Sequence, residues 1–165
     1  MRHAKNQGFT LVEILIVVVI LGILAAIVIP QFSDASTQSK LSSCQSSLQS
    51  LRSQIQLYKI QHNDQAPTVA LFEDAMTKCS AAGASEASDY VARTADNKTS
   101  HPFGPYVQQV PMNPWNNLNT VGAIGSGAGW EYNAATGDIY VGTTGAPTEV
   151  VTKLVETGAA LGSEG

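Results

Sequence analysis

The chain has 165 residues, 44% of them apolar and only 13% charged, with a formal net charge of −4. That length suits one domain, or one domain plus an anchor. The charged share is about half that of an ordinary soluble domain, and no basic cluster follows the first few residues, which argues against nucleic-acid binding through a positive face.

Residues 1–8, Met-Arg-His-Ala-Lys-Asn-Gln-Gly, are polar and positive through Arg2 and Lys5. From Phe9 to Ile29 the chain is apolar except for Thr10, Glu13 and Gly22. As a helix this stretch is about 31 Å long at roughly 1.5 Å per residue, enough to cross a hydrocarbon core of about 30 Å. A lone span must pair its own backbone groups, so helix is the expected conformation. Arg2 and Lys5 on the short flank place the N-terminus in the cytoplasm by the positive-inside rule. An ordinary secretory leader is the competing reading, with Leu24-Ala25-Ala26 imitating its cleavage site. Against it, the apolar pattern runs on through Ile27-Val28-Ile29 into a helical pattern.

Glu13 is the residue that demands explanation. A carboxylate four residues into an apolar span is costly unless it finds a partner. It either reaches water at the interface or pairs with a cation. A cut before Phe9 would create such a cation, a new α-amino group one helical turn away. Pro30 and Gly22 are weak points of the same helix, the first because it removes a hydrogen bond and crowds the preceding turn, the second through its low helix propensity.

Gly8-Phe9-Thr10-Leu11-Val12-Glu13, with the Ile/Leu/Val block running to Pro30, resembles the processing motif of type IV prepilins and pseudopilins. The resemblance implies cleavage between Gly8 and Phe9 by a prepilin peptidase, N-methylation of Phe9, and a requirement for Glu13 in filament assembly. It also implies that the stretch between Gly22 and Pro30 can loosen on assembly.

Beyond Pro30, Leu41, Cys44, Leu48, Leu51, Ile55 and Tyr58 are spaced three and four apart, a single seam on a helix that should end near Asn63-Asp64. Ser-rich flanks are weak helix formers, so the seam must pack against something, either a later sheet or, as the alternative, a coiled-coil partner. A second helix is expected from Thr68, as its cap, to about Ala82, with Leu71, Phe72, Ala75, Met76 and Cys79 on its apolar face. Cys44 and Cys79 then both face inward. A bridge between them is favoured, with two buried free thiols as the alternative. Residues 83–102 read as a loop, and Gly104 to Pro111 as a proline-bounded edge strand. Gly122 to Gly129 reads as a glycine-rich loop. Trp130-Glu131-Tyr132-Asn133 and Asp138-Ile139-Tyr140-Val141 alternate across a glycine-containing turn and predict a hairpin. The tail from Gly142 has no assignment.

Phe103-Gly104-Pro105-Tyr106 followed by Val110-Pro111-Met112-Asn113-Pro114-Trp115 resembles the major pseudopilin of type II secretion, which has a similar Asp-Pro-Trp-Gly turn. The family often binds calcium in the loop after this turn. Here Asn113 and Asn116 stand where the aspartate and glycine would be, and no acidic residue occurs between Asp96 and Glu131. Calcium prefers six to eight oxygens, carboxylates among them, so the expectation is no cofactor, with only a weak calcium site near Asn113 and Asn116.

No catalytic constellation is evident. His3 lies in the leader, His62 and His101 sit in polar surroundings and are expected at the surface, and Gly125-Ser126-Gly127 lacks the context of a nucleophile elbow. The fold expected is α+β: a long N-terminal helix, half transmembrane and half amphipathic, packed on a small C-terminal antiparallel sheet. Its parts are a leader (1–8), a transmembrane and filament-core helix (9–30) and an extracytoplasmic head (31–165). The resemblance implies a single-pass protein of a bacterial inner membrane with its head in the periplasm. Its implied partners are copies of itself, prepilin peptidase, an inner-membrane assembly platform and minor pseudopilins. A type IV pilin of an extracellular fibre is the alternative, and the lack of a cysteine after Cys79 speaks for the secretion branch.

Overall fold

Residues 8–161 are described by the structure, a computed structural model. The leader up to Gln7, with Arg2 and Lys5, and the last residues of the tail lie outside them. The chain divides into two units, Met1–Ser39 and Lys40–Gly165. Helix α1 (Leu11–Gln61) supplies the described helical part of the first unit and the backbone of the second.

In the first unit α1 is apolar on every face, and its large side chains from Leu11 to Ile29 are all exposed. Gly22 and Pro30 both lie within the helix. Proline has no N–H, so the backbone bond from position 30 to the Ala26 carbonyl is missing.

In the second unit the apolar residues of α1 narrow to a seam. Leu41, Cys44, Leu48, Leu51, Ile55 and Tyr58 are its buried residues, the set that the three-and-four spacing predicts. They pack against Trp130, Tyr132, Ile139 and Val141 of the sheet and against Phe72, Ala75 and Met76. The partner of the seam is therefore this chain's own head. Asn63 and Asp64 take left-handed conformations (φ 55 and 63) that end α1 where predicted.

Strands β1 (Val121–Ala123), β2 (Trp130–Asn133) and β3 (Asp138–Val141) form a sheet in the order β1-β2-β3. The predicted hairpin is β2 and β3, antiparallel, with Trp130 opposite Val141 and Tyr132 opposite Ile139. Gly137 (φ 81) turns the chain between them. The sheet as a whole is mixed, not antiparallel, because β1 pairs parallel to β2. The connection between them is shorter than a normal parallel crossover. Gly125 and Gly127, at φ 78 and 73, let it double back, and Val121 to Ala123 extend as a strand where only a loop was expected.

Two other expectations are corrected, and the unassigned tail gains a helix. The second helix is a 3₁₀ turn (Val69–Leu71) followed by α2 (Phe72–Thr77), and Thr68 makes no side-chain cap. It stops early because Cys79 exchanges backbone hydrogen bonds with Val91 (2.7 and 2.9 Å) and Ser80 with Phe103. Residues 104–111 form no strand; instead the amides of Tyr106 and Val107 both donate to the Met76 carbonyl. The unassigned tail contains α3 (Thr148–Glu156), which buries Val150 and Leu154 and starts after Pro147. Arg52 of α1 clamps this tail by donating to the carbonyls of Ile139 (3.1 Å) and Gly158 (2.7 Å).

Candidate functional site

The N-terminal site begins at Gly8 and Phe9, which precede α1 and are exposed. Thr10 is the residue before the first helical position. Its N–H donates to Glu13 Oε2 (2.8 Å), its hydroxyl donates to the same oxygen (2.7 Å), and the Glu13 N–H donates back to Thr10 Oγ1 (3.2 Å). This is a capping box, in which two helix-start donors are satisfied reciprocally. Glu13 therefore has a local partner before any neighbour arrives. The sequence reading offered interfacial water or a cation as the partner of Glu13 and missed Thr10, although Thr-x-x-Glu ahead of an apolar run is the signature of such a box.

The second site is the turn after Pro111. Asn113 is fully buried. Its Nδ2 donates to the carbonyls of Gly129 (2.7 Å) and Gly142 (2.8 Å). Its Oδ1 accepts from the Trp115 N–H (3.0 Å) and from the Cys44 thiol (3.7 Å). Carbonyls cannot donate, so these four partners fix which end of the amide is which. The main chain of Asn113 pairs with Leu118 and Asn117. Asn116 repeats the pattern: its Oδ1 accepts from Leu118 N–H (3.1 Å) and its Nδ2 donates to Ala128 carbonyl (3.3 Å). The Trp130 indole N–H holds the approach to the turn through the Pro111 carbonyl (2.7 Å). Lys40 lies 5.4 Å from the Trp115 ring centre.

The two cysteines are both buried and both free, so the favoured bridge does not form. The reason is distance along α1. Cys44 meets the turn at Asn113, whereas Cys79 precedes Ser80, whose hydroxyl meets His62 just past the far end of the helix (2.9 Å). The residues from 44 to 62 rise about 27 Å at roughly 1.5 Å each, while bridged cysteines need Cα atoms within about 7 Å. Burial pushes the Cys44 thiol up to about 11, against a smaller lowering by Trp115, so it is an inert group, not a nucleophile.

His62 is also corrected: it is buried, not at the surface. Its ring stacks on Tyr58 (centroids 3.8 Å apart), Nδ1 pairs with the Tyr58 carbonyl (2.9 Å) and Nε2 with Ser80. Helix termination folds it back onto the seam, which composition alone cannot reveal. Burial lowers its pKa, opposed by the carbonyls of Tyr58 and Ala81.

Residues 3–29 match the family described as the prokaryotic N-terminal methylation motif. A type II secretion system core protein G of Pseudomonas aeruginosa is 31% identical over 117 residues, 71% of this chain and 73% of the relative. The chain belongs to the type II secretion system core protein G family. A core protein G of Aeromonas hydrophila is 29% identical over the same shares of the two chains. The type IV major pilin protein PilA of Myxococcus xanthus is 49% identical, but over 49 residues, 30% of this chain and 22% of the pilin. No solved structure matches. These core protein G relatives are named as parts of a secretion system, and α1 is long and apolar enough to anchor this chain in a membrane.

Calcium, which the core protein G resemblance implies for the loop after the turn, does not fit the residues found here. Among the described residues no three His, Cys, Asp or Glu side chains gather to hold a metal. The side-chain oxygens of Asn113 and Asn116 already accept hydrogen bonds, and the carbonyls of Gly129, Gly142 and Ala128 already receive amide N–H groups.

Proposed function

We propose that this chain is the structural subunit of a type II secretion pseudopilus, assembled from the inner membrane to help export folded proteins. The single observation that carries this reading is the junction of Gly8-Phe9 and the Thr10–Glu13 capping box with an apolar helix segment whose large side chains from Leu11 to Ile29 are exposed. Such a segment needs a non-aqueous surround, which lipid supplies before assembly and neighbouring copies supply in a filament. Prepilin peptidase cuts between Gly8 and Phe9, and the new N-terminus is methylated. The cytoplasmic side keeps the N-terminal flank and the periplasm receives the head.

Glu13 has one role in each state. In the membrane Thr10 satisfies one of its oxygens; in the filament the Phe9 amine of a neighbour adds charge pairing in low dielectric, which fixes the axial offset between helices. A neighbour in register brings its Phe9 amine to the Glu13 carboxylate and one out of register does not, and that difference in charge pairing discriminates between them. The assembly platform and minor pseudopilins act on this helix and head as partners. No catalytic step is required of the chain.

Mass spectrometry of the purified mature chain tests the reading. The expected mass is that of a chain starting at Phe9 with one added methyl group; an intact Met1 would sink it. The match to the Myxococcus pilin favours a second reading, a subunit of a surface fibre. Deleting the gene separates the two: loss of exported enzymes supports the pseudopilus, and loss of surface fibres with export intact supports the pilus.

A further inference from the structure

The turn at Asn113 brings three chain segments together with no charge among them. Asn113 lies between Gly129, just before β2, and Gly142, just after β3, and touches Cys44 of α1. The Gly142 N–H also donates to the Gly129 carbonyl (3.0 Å). The approach is too close for side chains: a Cβ on Gly129 would strike the Leu118 backbone, and one on Gly142 the Ala128 carbonyl. Two carbonyl oxygens thus converge on one buried point, 2.7 and 2.8 Å from a single nitrogen. Converging buried carbonyls need a positive partner, either a cation or N–H donors.

We propose that the Asn113 side-chain amide cross-links the head of this chain, so that the head is stable without calcium. The NH₂ group supplies two donors to the Gly129 and Gly142 carbonyls, and its carbonyl end takes the Trp115 N–H that closes the turn. Asn116 ties the far side of the turn to Ala128 in the same manner. An aspartate at position 113 would lose both donors and set a carboxylate against two carbonyls.

Thermal unfolding of the full chain in detergent tests this in 5 mM calcium chloride and in excess EDTA, with Asn113→Asp and Asn113→Ala beside the unaltered protein. The unaltered head is expected to melt at the same temperature in both buffers, within about 2 °C, and Asn113→Ala roughly 5–15 °C lower in both, because the Gly142 carbonyl loses the Asn113 donor and the Gly129 carbonyl keeps only the Gly142 N–H. Asn113→Asp is expected to melt low in both buffers, because a carboxylate cannot donate to the Gly129 and Gly142 carbonyls. A calcium-dependent midpoint for the unaltered chain overturns the proposal. So does an Asn113→Ala or Asn113→Asp chain that melts together with the unaltered protein.

Discussion

The two halves of α1 obey different rules although they are one helix. From Leu11 to Ile29 every large apolar side chain is exposed; from Leu41 to Tyr58 the same residue types form one stripe and are buried against the head. The apolar face of the second half has its partner within the chain, so folding alone satisfies it. The first half is apolar all round, the pattern of a segment that needs a non-aqueous surround on every face. The head is therefore a folding unit whose stability is intramolecular, and the anchor is a segment whose energetics are settled only in lipid or among copies.

This contrast can be broken first at Glu13. In Glu13→Leu, filament incorporation measured by shearing and pelleting is expected to fall at least about tenfold, because a neighbour's Phe9 amine loses its counter-charge in low dielectric. Membrane insertion and the head's melting should not change; normal filaments would end the assembly account. Next is a pair of truncations on the same helix. Leu51→Ala should destabilise the head by about 2–5 kcal/mol through transfer and cavity terms, whereas Ile20→Ala should leave head unfolding unchanged. Equal effects would mean that the halves do not divide as described.

The third effect is on pH. His62 has a folded pKa below 6.5, mainly through burial, so the unfolded chain binds more protons between the two values. Stability is therefore full above about pH 6.5 and declines as pH falls toward the folded value, by at most about 1.4 kcal/mol per pH unit from this group. His62→Gln should flatten that part of the head's stability profile, measured by denaturant unfolding from pH 8 to 5, while leaving the slope from other groups. The smallest effect is at the surface of α3, where Lys153 and Glu149 pair at 3.0 Å. Glu149→Ala should cost only about 0.3–0.5 kcal/mol, and less in high salt.

Local pattern made much of the candidate site legible. The Gly8-Phe9 junction, the Glu13 spacing and the seam of α1 all depend on residues a turn or less apart. Thr10 is equally local, and its capping box with Glu13 is written in the Thr-x-x-Glu spacing at the helix start. α3 was missed although Val150, Val151, Leu154 and Val155 have helical spacing, since Thr- and Gly-rich flanks resemble a loop.

What the amino-acid order alone determined is whatever repeats within one helix or one hairpin: an anchor apolar on all faces, the inward stripe from Leu41 to Tyr58, and the β2–β3 alternation. Tertiary structure decided the rest. The parallel pairing of β1, the burial of His62 against Ser80, the separation of Cys44 from Cys79 and the junction at Asn113 each depend on contacts between residues distant along the chain. Backbone hydrogen bonds and close glycine contacts set those meetings, and both are properties of the folded path and not of any short window of side chains.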